Sequence, residues 1–160
     1  MSGDIFLKLT GADGESQKDG HKDEIELESV SWGGSNPTSF AHGGGGGVGK
    51  VQLQDVHFTK SIDKSSGILY NFCCNGKHVD KAVFTCRKAG EKPQDYLKVT
   101  LTDVMVSSFS LGDSHGGLPH ESISLSYAKI KGEYKPQKKD GTLDSPIDFG
   151  WNVKEHKAPD

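Results

Sequence analysis

Apolar residues along this chain recur at every second position, and in three segments the recurrence changes phase partway. Between residues 50 and 60 the apolar positions are Val51 and Leu53, then Val56 and Phe58. Between 96 and 111 they are Leu97, Val99 and Leu101, then Val104 and Val106. Between 122 and 134 they are Ile123, Leu125 and Tyr127, then Ala128 and Ile130. A period of two is the signature of strands, whose successive side chains point to opposite faces. A one-residue slip sends every later side chain to the other face. The device that does this without ending a strand is a β-bulge. Three flips predict strands that bend around a barrel corner or serve two sheets.

Further strands are expected at residues 5–9, 24–32, 82–89 and 147–152. Residues 10–23 carry Gly11, Gly14, Gly20 and many charges, and read as an exposed loop. Residues 33–49 form the longest irregular segment, long enough to suggest a functional role. One helix is predicted at 63–75, with Asp63 as N-cap, an apolar stripe of Ile68, Leu69 and Phe72, and Gly76 after its end. The fold class is therefore all-β with one short helix, in a single domain over residues 1–160. An extended loop lies at about 34–49, and a mobile tail is expected at 153–160. Apolar residues make up only 32% of the chain, and its 21 glycines bring the total near the usual range. The core must be thin, as in a barrel or sandwich, or be completed by subunit contacts.

Several function classes are disfavoured. Residues 44–50 read GGGGVGK, the start of a phosphate-binding loop, but Val51 stands where a Mg²⁺-binding hydroxyl is needed. A strand is also expected next, where that loop requires a helix. Consecutive glycines instead suit a linker or a place where another backbone approaches closely. The histidines form no metal pattern. Asp113, His115 and His120 lie near one another without a cysteine partner. No serine sits in a nucleophile elbow. Asp103 and Glu121 are read as solvated strand residues, and Trp32 and Trp151 as core. Catalytic, cofactor-binding and metal-binding residues are thus assigned to none. The net charge is −3, with no basic stripe for nucleic acid. No apolar run reaches the length of a membrane span, so no membrane insertion is expected. Residues 1–10 lack a signal-peptide pattern, which predicts folding in a cytoplasm. Cys73, Cys74 and Cys86 are an odd number and read as small buried hydrophobes rather than a disulfide framework.

A set of short segments then stands out together. They are IFLKL at 5–9, GES at 14–16, SWG at 31–33, the run 43–50, FTK at 58–60, IDKS at 62–65 and RKAG at 87–90. VSS at 106–108, YAKI at 127–130, YKPQ at 134–137, DG at 140–141 and FGWN at 149–152 follow. Their order and spacing, from about residue 3 to residue 153, resemble the haemolysin-coregulated protein (Hcp) family, the tube subunit of bacterial type VI secretion. The resemblance implies a β-barrel of two sheets with a flanking helix, here at 64–75. It implies a homohexameric ring with a central channel, and rings stacked into a tube within sheath proteins and tipped by a spike protein. Small effector proteins travel in the channel, and the tube is secreted without a signal peptide, outside the cell or into a target cell. Carried onto this chain, the loop reaching between rings comprises Ser39, Phe40, His42, Gly43, Gly44, Gly45, Gly46, Gly47 and Lys50. Ser31 matches a channel-facing, effector-contacting position. The Cys73–Cys74 pair and residues 113–120 depart from the family pattern and bear on ring contacts or cargo choice. Two other readings stay open: a monomeric barrel around a small apolar ligand, and an exported hydrolytic effector, which would need converging titratable residues.

Overall fold

The computed structural model describes residues 3–40 and 47–160, with side chains described at 3–40 and 49–160. His42, Gly43, Gly44, Gly45 and Gly46 of the expected stacking loop lie outside the described residues.

The strands are β1 Asp4–Leu9, β2 Ile25–Leu27, β3 Ser29–Ser31, β4 Gly34–Ser35, β5 Thr38–Ser39, β6 Gly47–Val48, β7 Gln52–Leu53 and β8 Val56–Ser61. After the helix α1 Ser66–Asn75 come β9 Val79–Lys88, β10 Gln94–Gly112, β11 His120–Tyr134 and β12 Ile147–Asn152. The main sheet runs β2-β1-β9-β10-β11-β8-β3, with β12 beside β11. Its two ends, β2 and β3, are consecutive in the chain. At the junction the Glu28 N–H donates to the Thr59 carbonyl at 2.8 Å, so residues 25–31 carry the sheet around to close a barrel. The all-β barrel with one flanking helix is thus what the chain forms, as a single sheet wrapped onto itself.

The interior follows from the alternation. Leu7, Leu9, Ile25, Val56, Phe58, Phe84, Val99, Leu101, Ile123 and Leu125 are buried together. All three phase flips occur, by means other than the expected bulges. In β10 the buried positions pass from Val99 and Leu101 to Val104 and Val106 across Asp103, whose φ is +57°. Register is unchanged there, since Thr102 opposes Lys129 and Val104 opposes Tyr127. One left-handed residue turns the strand over without adding a residue. The register shifts of β10 lie elsewhere, at Asp95/Leu97 and Val106/Ser108. In β11 the buried set moves from Ile123 and Leu125 to Ile130 and Gly132. In the third case the strand breaks: β7 ends at Leu53 and β8 starts at Val56. The expected strand 24–32 likewise divides at Glu28, where the chain crosses from one edge partner to the other.

The helix starts later than expected, at Ser66. Asp63 is not its N-cap, because its carboxylate instead accepts the Ser65 N–H at 2.9 Å in a turn before the helix. Leu69 and Phe72 are buried against the barrel, Ile68 partly so, and Gly76 ends the helix at φ +64°. The 10–23 loop is ordered rather than simply exposed. His21 is buried, stacked on Phe6 at 4.2 Å, with its two ring nitrogens on Glu24 and Asp95 at 2.9 and 3.0 Å. Residues 153–160, expected as a mobile tail, fold back. Asn152 N–H and Lys157 N–H each donate to the other residue's carbonyl, at 2.7 and 3.3 Å, and the His156 ring meets Trp151 edge-on. Trp32 and Trp151 are partly buried against the core. The cysteines differ from expectation: Cys74 is exposed, and Cys73 and Cys86 are only half-buried. A thin barrel wall leaves little room to bury residues of α1 that face away from it.

Candidate functional site

Residues 33–49 are not irregular throughout. Gly34 and Ser35 pair with Leu53 and Gln52, while Thr38 and Ser39 pair with Val48 and Gly47. Together β4–β7 make a two-stranded ribbon, roughly 20 Å long at strand rise. Between the two short ladders the Gly49 N–H donates to the Pro37 carbonyl at 3.0 Å. A Cβ at Gly49 would stand 2.5 Å from Pro37, so this crossing needs glycine. The ribbon's root is fixed to the barrel. Gln54 N–H donates to the Gly33 carbonyl at 2.8 Å, and the Tyr127 hydroxyl donates to the Gln54 carbonyl at 3.0 Å. Leu53 and Trp32 pack on the core beneath it. Burial, and secondarily Asp55, raises the Tyr127 phenol above its ordinary value, which keeps it a donor. Further out, Phe40 is 83% exposed, the most exposed of the large apolar side chains described. Lys50 is exposed and followed by a strand, so nothing here forms the helix that a phosphate-binding loop requires.

Ser31 is exposed at the end of β3, opposite His57 of β8. From there a row of residues crosses the sheet. His57 opposes Ser124 of β11, which opposes Ser108 of β10. The Ser108 hydroxyl donates to Ser124 Oγ at 2.6 Å, and Ser124 Oγ lies 2.7 Å from His57 Nδ1. A second row runs parallel, through Ser29, Thr59, Ser122 and Ser110. The Ser29 and Thr59 hydroxyls are 2.6 Å apart. Sequence reasoning named Ser31 but not its row neighbours His57, Ser108 and Ser124. A signal was present, since serine recurs with period two at 29 and 31, at 108 and 110, and at 122, 124 and 126.

The opposite face of the same strands holds the other missed feature. Lys60 and Glu121 have fully buried side chains, and Lys60 Nζ reaches Glu121 Oε2 at 2.6 Å. Lys60 also donates to Asp63 at 2.9 Å and to Ser66 Oγ at 3.0 Å, and Ser66 in turn donates to Glu121 at 2.8 Å. Glu121 is therefore not a solvated strand residue. Its charge is met by Lys60, and the knot fastens the start of α1 to β8 and β11. Asp103 does not approach it. It pairs instead with Lys154 and His78, and these hydrogen bonds, Lys154 first, hold its carboxyl below the usual carboxylate value. His115 is exposed, and His120 pairs with Glu28. Among the described residues no group of three or more His, Cys, Asp or Glu could hold a metal ion, and no helix is long and apolar enough to cross a membrane.

Known proteins share this sequence and architecture. Residues 6–134 match the family described as "Type VI secretion system effector, Hcp". Protein hcp1 of Pseudomonas aeruginosa is 44% identical over 159 residues, 98% of each chain. A solved type six secretion system protein superposes with a TM-score of 0.94 at 28% identity, over 99% of this chain and all of the other. Hcp1 of Salmonella typhimurium superposes with a TM-score of 0.80 at 36% identity, again over 99% of this chain and all of its own. By sequence and by fold, this chain belongs to the Hcp family of the type VI secretion system.

Proposed function

We propose that the chain is the structural subunit of a type VI secretion tube, not an enzyme. Copies form a homohexameric ring around a channel, and rings stack into a tube. The tube is expelled with its spike and its effector cargo from within a contracting sheath. Family membership sets the reading, and the observation that carries it in this chain is the anchored ribbon with Phe40 exposed on it. A two-stranded ribbon is marginal by itself in water. One that is fixed at its root and carries a bare aromatic is suited to a partner surface. Ser39, Phe40 and Lys50 belong to that stacking contact, together with His42 and Gly43 through Gly47. Ser31 faces the channel. Closed rings build strong assemblies from repeated identical contacts, each expected to bury at least about 1,000 Å².

Size-exclusion chromatography with light scattering should give six chain masses, and negative-stain images should show rings end-on. A monomer at every concentration tested would overturn the reading.

A further inference from the structure

The hydroxyl face around Ser31 has a direction built into its hydrogen bonds. Ser124 is buried and its Oγ accepts the Ser108 hydroxyl proton. Its own proton can then be given to its other neighbour, His57 Nδ1, 2.7 Å away. An imidazole that accepts at Nδ1 carries its proton at Nε2. His57 is exposed, and its Nε2 has no partner among the described residues. With Ser124 donating, the chain Ser108, Ser124, His57 is a series of bonds polarised one way, ending in an N–H donor that faces solvent. Aligned bonds of this kind strengthen one another. Ser31 stands opposite His57, with Ser29 and Thr59 in the next row. Asp55, two residues before His57 and just ahead of β8, accepts the Ser107 hydroxyl at 2.6 Å.

We propose that His57 and these hydroxyl rows form a recognition patch for the acceptor oxygens of a cargo polypeptide, with His57 Nε2–H as the specificity-determining donor. The proposal rests on the reading that Ser31 faces the channel, and it names the chemistry recognised there. In a ring the patch recurs in every subunit around the channel wall. Weak single contacts then add through multivalency. Small side chains leave the wall open, so one outward donor per copy sets which surfaces are held. Surfaces rich in carboxylate or carbonyl oxygen engage this donor, whereas surfaces that present only donors meet the hydroxyls alone and are held less tightly.

Two measurements test this on the full-length protein at neutral pH. Long-range proton–nitrogen NMR reads the His57 tautomer. The Nε2–H form is expected in the wild type, and Ser124→Ala should loosen that preference. An Nδ1–H tautomer in the wild type overturns the proposal. The second measurement titrates poly-L-glutamate against poly-L-lysine of equal length by calorimetry. Polyglutamate should bind, and His57→Phe should weaken it about tenfold, the loss expected for one hydrogen bond to a charged group. His57→Gln, which keeps a donor, should recover most of the affinity. Equal binding of polyglutamate by wild type and His57→Phe, or equal binding of both polymers by the wild type, overturns the proposal. Light scattering on the same samples separates the two readings. If the chain is monomeric but His57→Phe still loses polyglutamate, the tube reading fails and the patch stands. If rings form and His57→Phe changes nothing, the patch fails and the tube stands.

Discussion

Single residues decide two local problems in this barrel. Asp103 turns β10 over at φ +57° while its carboxylate holds Lys154 and His78. Aspartate and asparagine tolerate this backbone, and β-branched residues do not. Asp103→Asn should keep the backbone and lose the ion pairs, whereas Asp103→Val should lose both and melt at the lowest temperature of the three. The pH dependence has a definite sign. The folded state holds this carboxyl below its usual 3.8, so its contribution is present above that value and disappears as pH falls through the lowered one. The gap in melting temperature between wild type and Asp103→Asn should close in acid. A gap that persists unchanged at low pH would refute the assignment. At Lys60 the issue is charge burial. Lys60→Met leaves Glu121 buried without its cation, a loss of about 3–5 kcal/mol. Lys60→Met combined with Glu121→Leu should recover most of that in urea denaturation, because two apolar residues need no partner. Neither role could be read from sequence. Lys60 and Glu121 are 61 residues apart and each sits among polar neighbours. Their meeting depends on β8 pairing with β11, which the local pattern does not encode.

At the scale of elements, the pairing of β12 with β11 depends on a glycine beneath an aromatic ring. Phe149 opposes Gly132, and a Cβ placed at Gly132 would lie 2.0 Å from the ring. The ring covers the strand where a side chain is missing, which pins the register of β12. Gly132→Ala should cost about 1–3 kcal/mol by overpacking. In a Phe149→Ala background the same change should cost much less, and a double-mutant cycle measures the difference. Additive costs would show that the ring and the glycine are independent. Element type was largely legible, because period-two alternation over residues 96–111 and 122–134 has no competing helical pattern. Boundaries and breaks were less so. The chain divides at Glu28 and between Leu53 and Val56 because each half pairs with a different partner strand. The run 33–49 looked irregular because glycine and serine hide strand alternation, although their backbones pair as well as any others.

The whole molecule separates an eight-stranded barrel from a two-stranded ribbon, and the two should fail independently. Family resemblance singles out Ser31 from sequence, but that His57 and Ser124 stand in one row with it emerges only once β3, β8 and β11 are aligned. For the ribbon, Phe40 was legible as part of a loop, but its exposure is a property of the folded chain. Exposed side chains away from special backbone contribute little to stability, within about 0.5 kcal/mol. Phe40→Ser should therefore leave the thermal melting curve of the subunit unchanged. If the ribbon joins stacked rings, the same substitution removes apolar area from every ring-to-ring contact at once. Because the contacts repeat around the ring, a small loss in each is multiplied in the stack. The expected result is a population of single rings, of unchanged mass by light scattering, that no longer associate into tubes under the electron microscope. If Phe40→Ser gave monomers instead, the ribbon would belong to the contact within a ring. If tubes formed as readily as before, Phe40 would belong to neither contact.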